Sequence, residues 1–126
     1  MIRYLDLEEI IGLLEKLLSE TGAKLAFLNR TNLEFTLDSV RTKFGNELNN
    51  ETMAKKAAYM MFQIVSSHPL VDGNKRTAAF LGELFIRKNG LGLEVTDDEF
   101  FSELVDLASG RISEKDIRKW VHENIR

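Results

Sequence analysis

The sequence predicts an all-α fold, a single compact domain over residues 1–126 built from about six helices. Three observations carry that expectation. Apolar residues recur at three- and four-residue spacing along nearly the whole chain, the repeat of a helix with one buried face. Helix-opening residues stand ahead of several of these stripes, followed by an acid three residues on in the capping-box pattern. No repeat, low-complexity run or proline-rich linker divides the chain, and 126 residues suit one core.

The elements follow in order. Asp6-Leu7-Glu8-Glu9 can form a capping box for a helix running to about Glu20, with Ile10, Leu13, Leu14, Leu17 and Leu18 on one face and Gly22 as its stop. Thr31-Asn32-Leu33-Glu34 offers a second box, and Leu33, Leu37, Val40 and Phe44 make a stripe that ends at Gly45. Residues 45–50 read as a loop. A third helix runs from Glu51 to about Ser67 and is apolar almost all round through Ala57-Ala58-Tyr59-Met60-Met61-Phe62, the mark of burial on most sides. A fourth runs from about Asn74 to Asn89, with Gly90 as its stop. Leu91 to Val95 read as extended, Thr96-Asp97-Asp98-Glu99 opens a fifth helix ending near Gly110, and Ser113 caps a sixth carrying Ile117, Trp120, Val121 and Ile125.

Composition narrows the function classes. Apolar residues at 44% and charged residues at 29% match an ordinary soluble globule. The absence of cysteine removes disulfides, thiolate zinc sites and cysteine nucleophiles. A net charge of −3 gives no global attraction for nucleic acid or an anionic membrane. Charged residues interrupt every apolar run, and the N-terminus lacks the apolar stretch of a signal peptide. The expectation is a cytoplasmic protein that binds neither nucleic acid nor membrane.

The chemistry concentrates between the third and fourth helices, in Ser67-His68-Pro69-Leu70-Val71-Asp72-Gly73-Asn74-Lys75-Arg76-Thr77, which includes the only proline of the chain. A helix N-terminus carries partial positive charge, so acids are normally favoured there. Here Lys75 and Arg76 occupy the first turn, at a cost of about 0.3–1 kcal/mol each that an anion would reverse. With Gly73 allowing close backbone approach, the segment reads as a phosphate cradle. Asp72 suits a divalent cation that bridges phosphates, or alternatively a helix cap. His68 suits base work at neutral pH, the range in which histidine serves as a proton acceptor. Two look-alikes fail. A P-loop needs Gly-Lys-[Ser/Thr] together and a glycine where this chain has His68, and a zinc site lacks ligands because the only other histidine is the distant His122.

The stretch His68-Pro69-Leu70-Val71-Asp72-Gly73-Asn74-Lys75-Arg76 resembles the Fic/Doc signature, His-x-Phe-x-[Asp/Glu]-Gly-Asn-[Gly/Lys]-Arg. Thr77-Ala78-Ala79 and Phe85-Ile86-Arg87-Lys88-Asn89-Gly90 are similar to the Doc branch. The resemblance implies a Fic/Doc-type helical bundle and an enzyme that transfers a phosphate-containing group to a protein hydroxyl, with ATP or another nucleoside triphosphate as co-substrate and Mg2+ as the metal. It implies that His68 deprotonates the target hydroxyl, that Asp72 holds the magnesium, and that Gly73, Asn74, Lys75 and Arg76 hold phosphates. It also implies a target-docking flap at Phe44-Gly45-Asn46-Glu47-Leu48, where a target segment would add as a strand.

Three positions depart from the pattern. Leu70 replaces the phenylalanine, one apolar anchor for another. Lys75 stands where nucleotidyl-transferring members carry glycine, and Ala79 where they often carry a second arginine. These last two point to the Doc branch, hence to a protein kinase, with elongation factor Tu as the target the resemblance suggests. The alternatives are an adenylyltransferase (AMPylator) and a catalytically idle binding module. The family's inhibitory pattern, [Ser/Thr]-x-x-x-Glu-[Gly/Asn], has no match: Lys119-Trp120-Val121-His122-Glu123-Asn124 comes near but opens with lysine. The corresponding expectation is restraint by a separate antitoxin, as in a toxin–antitoxin pair, or no restraint at all.

Overall fold

Six helices form where their N-termini find an oxygen, with one exception. The computed structural model describes residues 1–126 and orders them as α1 (Leu7–Ser19), α2 (Arg30–Ser39), α3 (Asn50–Ser67), α4 (Asn74–Lys88), α5 (Asp97–Ala108) and α6 (Glu114–Asn124). Asp6, Asn29, Asn49, Thr96 and Ser113 each accept a hydrogen bond from a first-turn N–H of the helix they open. At α5 and α6 the reciprocal bond is also made, from Glu99 and Asp116, completing two capping boxes. Only α4 starts without a side-chain cap.

The first two helices differ in detail from the sequence reading. Asp6 accepts from the Glu8 N–H at 3.1 Å, but the Glu9 carboxylate faces Lys88 at 3.4 Å instead of returning to the cap. Ile10, Leu14 and Leu18 are buried, while Leu13 turns outward at 45% exposure. The second helix is capped by Asn29, two residues ahead of Thr31, and it ends at Ser39 with Val40 as its C-cap. Phe44 therefore lies beyond the helix, at a positive φ of 65°. The reason is Lys56 of α3. Its ammonium is fully buried and donates to the Val40 carbonyl at 2.6 Å and the Lys43 carbonyl at 2.5 Å. Those carbonyls are satisfied by the lysine, so the chain leaves the helix there. Desolvation holds the Lys56 pKa below the ordinary lysine value.

The third helix is the centre of the bundle and packs most extensively on α4 and α6. Its midsection, from Lys56 to Met61, is buried without interruption, as its near-continuous apolar sequence requires. Gly82 of α4 faces Met61, and a Cβ there would lie 2.6 Å from the Met61 sulfur, so the missing side chain lets the two helices close up. The extended stretch after α4 pairs with the C-terminus: Leu93 bridges Ile125, and Gly92 and Arg126 exchange backbone bonds of 3.1 and 2.9 Å. No helix is long and apolar enough to cross a membrane.

Candidate active site

The loop between α3 and α4 begins at a disfavoured backbone position. His68 is the C-cap of α3 at φ 48°, ψ 60°, in the left-handed region, with its N–H on the Ile64 carbonyl at 3.2 Å. Glycine is the common residue at such a cap, and an L-residue there costs about 1–2 kcal/mol. The following proline also favours extended backbone at the residue before it. The imidazole is exposed, so no core packing compensates. A strained, solvent-facing histidine is the kind of outlier that functional sites retain.

Two sets of hydrogen bonds fix the rest of the loop. Asn74 clamps Leu70, accepting from its N–H at 2.9 Å and donating to its carbonyl at 2.9 Å. Leu70 itself is 1% exposed and anchors the loop to the core. On the other side, the segment joining α1 to α2 runs antiparallel to the loop, with Phe27 bridged to Leu70. The N–H groups of Leu28 and Asn29 donate to the Pro69 carbonyl at 2.8 and 2.9 Å, and that of Val71 to the Ala26 carbonyl at 2.9 Å.

The start of α4 is open. Gly73 is its N-cap at φ 83° and offers no capping side chain. The backbone N–H groups of Asn74, Lys75 and Arg76 have no carbonyl partner. A Cβ on Gly73 would collide with Leu18 Cδ2, so both the turn and the close approach of α1 require glycine. Asp72 accepts from the Gly73 N–H at 2.8 Å through Oδ1, which leaves Oδ2 unengaged on an exposed side chain. Neither Lys75 nor Arg76 takes part in an ion pair. These residues line a cleft of about 300 Å³ walled by Leu18 and Phe101. Free N–H groups and two unpaired cations therefore face one hollow, where the end of the helix dipole adds to their positive charge.

The structure thus brings Asp72, Gly73, Asn74, Lys75 and Arg76 together around one cleft, while His68 stands at the other end of the same loop, outside the cleft wall. The Asn74 side chain is engaged by Leu70, which leaves its backbone N–H for an anion. The segment Phe44, Gly45, Asn46, Glu47 and Leu48 is exposed and lies elsewhere. Phe44 packs on Tyr59, midway along α3, with ring centroids 6.2 Å apart, and beneath the Arg118 guanidinium of α6. From Tyr59 to His68 the helix rises about 13 Å. The strand-like partner of the loop is Ala26–Asn29, which the sequence reading did not single out, along with the walls Leu18 and Phe101. Nothing in the local sequence marks a two-residue backbone pairing across some forty positions (Phe27 to Leu70).

No curated protein matches this chain. Residues 4–86 match the Fic/DOC family, a span that contains the α1–α2 segment, all of α3, the loop and nearly all of α4. The chain belongs to the Fic/DOC family, whose members are typically transferases acting on proteins.

Proposed function

We propose that this protein is a Doc-like kinase that transfers the terminal phosphate of ATP to a Ser or Thr hydroxyl of a target protein. The observation that carries this reading is the N-terminus of α4, which no side chain caps, with Lys75 and Arg76 unpaired in its first turn. His68 takes the proton from the target hydroxyl, whose oxygen attacks the terminal phosphorus. The bond from that phosphorus to the bridging oxygen breaks, and a nucleoside diphosphate leaves. Asn74 positions the loop through Leu70, and the N–H groups of residues 74–76 receive phosphate oxygens. Elongation factor Tu is the target the Doc likeness suggests, and an antitoxin the restraining partner.

Magnesium fits this site through Asp72. No three His, Asp or Glu side chains converge, so Asp72 would hold the cation, with phosphate and water as its other partners, the environment magnesium prefers. When bound, it neutralises charge on the phosphates. Asp72→Asn is expected to weaken ATP binding in magnesium by about tenfold and to leave magnesium-free binding nearly unchanged. Titration calorimetry with and without the metal reads this. Equal effects in both would assign Asp72 to the turn at Gly73 alone.

Target docking is better served by the α1–α2 segment than by residues 44–48. The N–H and carbonyl of Phe27 make no hydrogen bond, and in this register they point away from Leu70, toward an open edge. Strand alternation sets Leu28 and Val71 on the same outward face, at 69% and 64% exposure. Replacing both by lysine is expected to raise KM for the protein target several-fold or more while ATP affinity is unchanged. Steady-state kinetics on a purified target measures it, and an unchanged KM would move the docking surface elsewhere.

A further inference from the structure

Arg30 opens α2 against the helix dipole, whose positive end disfavours a cation in the first turn. Unlike Lys75 and Arg76, it has partners. Its Nη2 donates to Glu8 Oε1 of α1 at 2.9 Å, and its Nε faces Glu34 Oε1, one turn along α2, at 3.4 Å. The guanidinium also lies over the Phe27 ring, 5.3 Å from its centroid. One side chain thus joins α1, α2 and the segment between them, and neither carboxylate has another cation. The arginine is 40% exposed, and ion pairs this open add little to stability. Its planar fork gives direction instead: two carboxylates from two helices and one ring fix where the guanidinium sits.

The ring it covers belongs to the residue with the open edge. Phe27 packs against the core and leaves its backbone N–H and carbonyl unpaired. The ribbon that carries it is short: one bridge, to Leu70, and three backbone bonds, from Leu28 and Asn29 to Pro69 and from Val71 to Ala26. Two strands of that length do not hold their shape by themselves. An edge that wavers must be ordered when a partner strand adds, and the ordering is subtracted from the binding free energy. We propose that Arg30 is a positioning residue. It holds Phe27 in the extended backbone that a target segment pairs with, which lowers the KM for the protein target and leaves nucleotide binding and the chemical step alone. The proposal rests on the docking of a target strand at Phe27 put forward above.

Arg30→Ala tests this on the intact protein, because alanine suits the first turn of a helix and the change removes a cation from the wrong end of the dipole. Amide hydrogen exchange is expected to quicken about tenfold or more at Leu28, Asn29 and Val71 and to stay unchanged along α3. With elongation factor Tu as protein substrate, KM is expected to rise about fivefold or more at unchanged kcat, and ATP affinity to stay that of wild type. Arg30→Lys keeps the charge but cannot both bridge two carboxylates and cover the ring, so it is expected to restore only part of either loss. Unchanged exchange in Arg30→Ala would overturn the role of Arg30 and leave the docking edge standing. Faster exchange with an unchanged KM would move target docking away from Phe27 and overturn the proposal with it. A loss of ATP affinity as large as the rise in KM would mean a disturbed domain, which overturns positioning. If the wild type leaves elongation factor Tu unmodified, the kinase reading fails at that target, while the exchange rates still decide whether Arg30 orders the edge.

Discussion

Replacing His68 by alanine is expected to reduce target modification by roughly 10²–10⁴-fold, the usual worth of a general base, with little change in thermal unfolding. The side chain is exposed and makes no hydrogen bond, so its loss removes no core contact. Glycine at the same position sharpens the experiment. It suits the left-handed backbone at φ 48°, which stabilises the fold by about 1 kcal/mol against the larger chain entropy of glycine in the unfolded state. A His68→Gly protein that melts no lower than wild type, yet transfers no phosphate, would show a residue kept for its imidazole at the expense of its backbone. Activity within a few-fold of wild type in either variant would remove His68 from the mechanism.

Gly73→Ala is expected to be the most damaging single methyl in the site. Two effects add: the left-handed φ of 83°, and the collision of the new Cβ with Leu18. Together they should cost about 2–4 kcal/mol, and moving Leu18 deforms the wall of the phosphate cleft. Gly22 supplies an internal control, because it has a similar φ of 78° and nothing within 4 Å of its would-be Cβ. Gly22→Ala should therefore cost only about 1 kcal/mol and leave nucleotide binding intact. Denaturant unfolding of both variants, with calorimetry of ATP binding, compares them. Equal costs would mean that Leu18 gives way freely and that the close approach at Gly73 is not required.

Much of the bundle was legible because helices announce themselves locally. The caps at Thr96 and Ser113 and the all-round apolar run of α3 are patterns of neighbouring residues, and the structure forms them as read. The end of α2 was not legible, because it depends on Lys56, a residue type that normally reads as solvent-facing. Buried among apolar neighbours, it takes the carbonyls that end the helix. The charge inversion at the start of α4 was visible as Lys75 and Arg76 behind Gly73, since it needs only the direction of the helix. The role of Asn74 was harder to see. From the sequence it is a polar residue in a phosphate loop, and only the fold sets its amide against both backbone groups of Leu70. The pairing of Ala26–Asn29 with the loop is a long-range backbone contact, and no side-chain pattern encodes it.

The choice between phosphoryl and nucleotidyl transfer turns on Lys75. It lines the cleft at the start of α4, at the position where the Fic/Doc likeness places glycine in nucleotidyl-transferring members. The nucleotide is then expected to present its terminal phosphorus, in line with the target hydroxyl, to His68. Lys75→Gly is expected to divert part of the product toward nucleotidyl transfer, weakly, because Ala79 leaves phosphate without a second arginine. Intact-mass spectrometry of the target after incubation with the wild-type protein, ATP and magnesium is the most direct measurement. A gain of one phosphoryl group per modified hydroxyl is the expected result. A gain of a whole nucleoside monophosphate would contradict the kinase assignment and make this protein an adenylyltransferase.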